Sequence, residues 1–201
     1  MLYSSNRQIL KVGMVVIASS FVLVACNKAA TTNTMAATDN AAASNASKDP
    51  VESAMSAGPA SIAHDAAIVE PKADGTLTTL REGKNGWTCM PDEPATPGPD
   101  PMCMDANALK WADAWMHHKD PPAGTVGLMY MLTGGTDASD TDPYAQKPTA
   151  QNNWIETGPH IMVVGSKELL QGYPASPKPN TKAPYVMWAG TPYAHLMIPV
   201  G

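Results

Sequence analysis

The C-terminal stretch YAHLMIPV (Tyr193–Val200) sets Leu196, Ile198 and Val200 at alternate positions to Tyr193, His195 and Met197. Alternation at period two marks a β-strand, whose successive side chains leave opposite faces of a sheet. HIMVVG (His160–Gly165) does the same, with Ile161 and Val163 opposing His160, Met162 and Val164. In TVGLMYMLT (Thr125–Thr133), Val126, Leu128, Tyr130 and Leu132 oppose Met129 and Met131, and YVMWAG (Tyr185–Gly190) sets Tyr185 and Met187 against Val186 and Trp188. As neighbours these strands would form a sheet with one aliphatic face and one face of methionine, histidine and tyrosine. On this reading Leu196, Ile198 and Val200 account for the burial of the last strand.

The remaining elements fit around that sheet. AAIVE (Ala66–Glu70) and TLTTLRE (Thr76–Glu82) flank Asp74-Gly75 and read as a hairpin, with GWTC (Gly86–Cys89) continuing as a third strand. DANALKWADAWMHHK (Asp105–Lys119) predicts a helix: Asp105 is an N-cap residue, Ala108, Leu109, Trp111, Ala112, Trp115 and Met116 cover one face, and Pro121-Pro122 end it. SKELLQ (Ser166–Gln171) predicts a short helix. The fold class is α+β, a largely antiparallel sheet of about six strands with one main helix.

The N-terminus decides location. Arg7 and Lys11 form a basic segment, followed by an uncharged, mostly apolar run from Val12 to Ala25. Such a run is short for a membrane-spanning helix, which needs about 20 residues, and suits a signal peptide over residues 1–25. It ends in Leu23-Val24-Ala25-Cys26, which resembles the lipobox of bacterial lipoproteins. The resemblance implies cleavage before Cys26, a diacylglyceryl thioether on its sulfur and a palmitate-like acyl chain on its new amine. Several acyl chains exceed the two-signal requirement for stable anchoring to a membrane. Asn27 after the lipidated cysteine favours the outer over the inner membrane, facing the periplasm. Residues 26–57 are dominated by Ala, Thr, Asn and Ser without a hydrophobic period and read as a disordered tether. Residues 58–201 form one globular domain.

Lipidation of Cys26 leaves Cys89 and Cys103, an even pair in an oxidising compartment and most simply a disulfide. The loop between them carries five prolines, incompatible with helix or central strand. Of the 13 basic residues, Arg7 and Lys11 leave with the leader; the other 11 against 18 acidic residues give a formal charge of −7. No basic patch is present, which argues against nucleic acid as a partner.

Chemistry-bearing candidates are few. His160, Met162, His195 and Met197 form two His-x-Met pairs; thioether and imidazole suit Cu(I), so a soft-metal site is one reading of the second face. The plainer reading makes the methionines gap-fillers beneath the Trp111/Trp115 helix, with sulfur–aromatic contacts. A third has His160, His195 and Tyr193, with an aspartate from the loop holding Asp137, Asp140 and Asp142, doing acid–base chemistry as a hydrolase or isomerase. That loop lacks EF-hand spacing and reads as an Asx turn. His117 and His118 read as a solvated helix end, and His64 has no evident partner. No nucleophile elbow, zinc-protease helix, phosphate loop or dinucleotide fingerprint is present.

The stretches NGWTC, GGTDAS, TDPY, GPHIMVV and GTPYAH make residues 58–201 resemble an uncharacterised family of exported bacterial proteins. The resemblance implies secretion and a shared fold, and brings no site residues with it. The expected function is a lipid-anchored binding or envelope-interaction module, a non-enzymatic reading preferred over the hydrolase or isomerase and the copper-binding protein.

Overall fold

A computed structural model describes residues 49–201 apart from Thr136. The expected signal peptide, the expected lipidation site Cys26 and the expected tether up to residue 48 lie outside the described residues. Among the described residues no helix is long and apolar enough to cross a membrane.

An eight-stranded mixed sheet organises the chain: β1 (Ala67–Pro71), β2 (Leu77–Arg81), β3 (Thr88–Met90), β4 (Met102–Met104), β5 (Gly127–Met131), β8 (His160–Val164), β9 (Tyr185–Met187) and β10 (His195–Pro199), in the order β2-β1-β3-β4-β5-β8-β10-β9. The sheet is larger than the six strands expected, and β1 pairs with β3 in parallel. That pairing needs the chain to cross tightly over β1. At Gly83 a Cβ would come 2.1 Å from the Ala67 nitrogen, so glycine is required there. The strand missed in the sequence, β4, is three residues long and follows Pro101, too short for an alternation to register. A separate two-stranded sheet, β6 (Ala138–Ser139) with β7 (Trp154–Ile155), stands beside the main one.

The folded region begins before Gly58. Helix α1 (Pro50–Ser56) is capped by the Asp49 side chain, which accepts from the Val51 N–H, and α2 (Ala60–Ala63) follows. Ala54, Ala57 and Ala63 are fully buried, with Ile68, Cys89 and Cys103, in a small core on one face of the sheet. The alanine-rich composition that suggested a tether instead lets short helices lie close against the strands. Cys89 and Cys103 face each other in the antiparallel β3–β4 register and are joined by the expected disulfide.

The main helix, α3 (Ala106–Met116), covers the other face. Asp105 caps it as expected, its Oδ1 accepting from the Asn107 and Ala108 N–H groups. The helix stops at Met116, ahead of the prolines, because His118 takes a left-handed φ of 54°. The Ser166–Gln171 helix is a single 3-10 turn, Lys167–Leu170.

Helix α3 lies on the methionine and histidine face, as the gap-filler reading expects, and of the three residues expected to bury the last strand only Leu196, 5% exposed, is buried. Met129, Met131, His160, Met162, Val164, His195 and Met197 are buried, whereas Leu128, Tyr130, Ile161, Val163, Ile198 and Val200 are only partly so. Methionine, histidine and tryptophan form the main core because the helix presents Ala108, Trp111 and Ala112 to that face. Each fully buried methionine contributes ~1.5–3 kcal/mol, which is enough to select the face.

Replacing Cys89 and Cys103 together by alanine should lower unfolding free energy by about 3 kcal/mol, the chain-entropy value for a loop of this size. Denaturant unfolding with and without reductant checks this: wild type under reductant should approach the variant.

Candidate functional site

Register lays out the inner face. Met104 opposes Met129, Met129 opposes Met162, Met162 opposes Met197 and Met197 opposes Tyr185, so four adjacent strands carry methionine in one row. His160 lies opposite Met131 on one side of this row, and His195 opposite Met187 on the other. The two His-x-Met pairs therefore do share a face, and they meet through Met162 and Met197.

The backbones of the two histidines stand apart on the sheet. His160 is opposite Pro199, four residues along β10 from His195, which separates the two backbones by roughly 13 Å along the strand. His195 is fully buried with its ring edge-on to Trp111 and Trp188, at centroid distances of 5.4 and 4.9 Å. Its Nδ1 lies 2.9 Å from the Tyr193 carbonyl oxygen. A carbonyl can only accept, so Nδ1 carries the proton and Nε2 presents a lone pair, which has no hydrogen-bond partner. Burial pushes the His195 pKa down to about 4, opposed by the Tyr193 bond; the charge of His160 adds the smallest effect. His160 is fixed likewise, Nδ1 donating to the Gly158 carbonyl at 2.7 Å, and burial lowers its pKa too.

Between this floor and α3 lies a cleft of about 740 Å³. Trp111, Trp115 and Trp188 join six methionines in its lining, and Asp100, Asp137, Asp142 and Tyr144 supply polar groups. Tyr193, expected beside the histidines, lies outside the lining; its hydroxyl donates to the Lys119 carbonyl at 3.0 Å and its ring meets Trp111 edge-on. Among the described residues no group of three or more His, Cys, Asp or Glu is placed to hold a metal ion. The Asx turn of the aspartate loop is present, Tyr144 N–H donating to Asp142 Oδ1 at 2.9 Å. At the helix end His117 Nδ1 lies 2.8 Å from the Asp113 carbonyl, and His118 stacks on Tyr144 at 4.1 Å and lines the cleft. His64 pairs with its neighbour Asp65 in solvent.

Two residues not singled out as site candidates in the sequence shape this cleft. Trp188 has a left-handed φ of 55°, a costly conformation for a bulky residue. It is held there by the loop around β6: its backbone N–H donates to the Asp140 carbonyl at 2.8 Å and its indole N–H to the Ser139 carbonyl at 2.9 Å. Trp111 is 3% exposed, and its indole N–H has no partner. Nothing in a lone tryptophan announces either role, since both depend on contacts between segments far apart in the chain.

Behind Trp188, Asp140 is 1% exposed and its Oδ1 has no partner; the Tyr185 hydroxyl is likewise unpartnered. Burial raises the Asp140 pKa from 3.8 to about 7, and burial followed by the Asp140 charge raises that of Tyr185. Asp100 is pushed up to about 6, first by burial, with hydrogen bonds from Glu93 and Thr96 opposing and the neighbouring Asp92 adding to the rise.

No protein-family model, curated protein or solved structure matches this chain. The site's own geometry must therefore carry the functional reading.

Because folding favours protonated Asp140, its folded pKa lies above the unfolded one. The associated stability is complete below pH 3.8 and lost as pH rises through about 7. Asp140→Asn should therefore be more stable than wild type at pH 8, by on the order of 1–3 kcal/mol, and the difference should close towards pH 4. Thermal unfolding across that pH range is the measurement.

Proposed function

We propose that the protein is a lipid-anchored binding protein of the bacterial cell envelope whose cleft takes a small, largely apolar molecule. The observation that carries this is the cleft of about 740 Å³, floored by methionine and walled by Trp111, Trp115 and Trp188. Its size falls within the ~300–1,000 Å³ range of small-molecule sites, and its lining combines apolar surface with a few polar groups. The unpartnered indole N–H of Trp111 and lone pair of His195 Nε2 offer one donor and one acceptor for a ligand's polar end. Methionine suits such a floor because an unbranched thioether adjusts to ligand shape at small cost.

The acid–base reading built on His160 and His195 is less favoured. Partners in proton transfer must sit within hydrogen-bond reach of one reacting group, and these backbones stand roughly 13 Å apart along β10. Anchoring through Cys26 rests on the N-terminal sequence, with the outer membrane as the expected destination.

Binding is tested with an apolar fluorescent probe excited by energy transfer from the cleft tryptophans. Trp115→Ala should weaken probe binding by about tenfold or more, the loss of roughly 1.4 kcal/mol of contact, while Leu169→Ala on the exposed 3-10 turn leaves it unchanged. Equal effects of the two substitutions would remove the cleft as the site. Anchoring is tested separately: Cys26→Ala should abolish incorporation of labelled palmitate and move the protein out of the membrane fraction.

A further inference from the structure

We propose that His195, Met187 and Met197 form a binding site for a soft monovalent cation, Cu(I) in the cell, at one corner of the methionine floor. Met187 lies directly opposite His195 in the β9–β10 register, and Met197 is two residues along β10 on the same face. Side chains directly opposite in an antiparallel pair have Cβ atoms about 4.5–5.5 Å apart, a separation that flexible thioethers close around one ion. All three residues line the cleft, which supplies an entry path.

The imidazole is already in the ligating form. Nδ1–H is committed to the Tyr193 carbonyl, as metal-bound histidines commit their second nitrogen to a backbone oxygen or carboxylate. That leaves Nε2 fully buried with an open lone pair, a polar atom that ordinary packing does not leave unpartnered.

Donor chemistry selects the ion. One imidazole and two neutral thioethers are soft ligands that favour Cu(I) and Ag(I), whereas calcium and magnesium require oxygen donors. A single positive charge also costs less to bury than two where the donor set holds no carboxylate. Trp188 and Trp111 pack against the imidazole at centroid distances of 4.9 and 5.4 Å and hold it in place.

The experiment is a titration of the purified full-length protein with Ag(I) in chloride-free buffer, and with Cu(I) anaerobically against a chromogenic chelator. One equivalent should bind, and the ε-methyl carbon resonances of Met187 and Met197 should shift on saturation. The volume-conserving double substitution Met187→Leu with Met197→Leu should weaken binding by about tenfold or more for each thioether removed, about 1.4 kcal/mol each. Met116→Leu, at the exposed end of α3, should leave it unchanged. The site is overturned if wild type binds no Ag(I), if the double variant binds as tightly as wild type, or if only other methionine methyls shift. A metal here takes the His195 Nε2 lone pair that the proposed function offers to an organic ligand, so the two occupants compete for that atom. Probe binding without Ag(I) binding would remove the metal and leave the organic ligand.

Discussion

One side chain, Asp105, fixes the helix to the sheet, and the rest of the arrangement follows from it. Its carboxylate accepts from the Asn107 and Ala108 N–H groups and from the Leu128 N–H of β5, while its own N–H donates to the Leu128 carbonyl. The first turn of α3 is thereby capped and attached to a central strand at once. Gly127 makes the approach sterically feasible: a Cβ there would come 2.3 Å from the Ala108 nitrogen. Helix and strand are in backbone contact at Ala108, and the cleft opens farther along, at Ala112 and Trp115. A helix clamped at its N-terminal end and propped away at its other end by tryptophans leaves a space between itself and the sheet.

The opposite wall is built differently. Around Asp140 and Trp188, short hydrogen-bonded segments replace regular structure, and the loop is closed by Asn152 accepting from the Ser139 and Thr141 hydroxyls. Asn152 in turn donates its side-chain amide to the Lys147 carbonyl. Two polar groups behind that wall, Asp140 Oδ1 and the Tyr185 hydroxyl, lack partners, at a cost to stability. The disulfide between β3 and β4 and the alanine helices stabilise the opposite face of the sheet from the cleft.

Much of this was legible in the residues. The β1–β2 hairpin, the capped helix and the three long strands β5, β8 and β10 follow from period and turn chemistry, because those signals are local. Strand β4 and the β6–β7 pair are too short to show a period, and they owe their existence to the disulfide and to loop hydrogen bonds. Burial follows whichever face receives the helix, and Gly127 directs it to the methionines, so that Ile198 and Val200 stay partly exposed. Both His-x-Met pairs could be placed on one face from alternation alone. Antiparallel register, which puts the methionines together and the histidines apart, could not.

Among the described residues there is no phenylalanine, and methionine takes its place across four adjacent strands. Thioethers, unlike phenyl rings, are readily oxidised. A sulfoxide formed on this floor would put a polar, chiral oxygen where the core is dry. The residues that make the cleft adaptable thus also make it perishable. Retaining its shape depends on how well the tryptophans and α3 keep oxidants from the sulfur atoms beneath them.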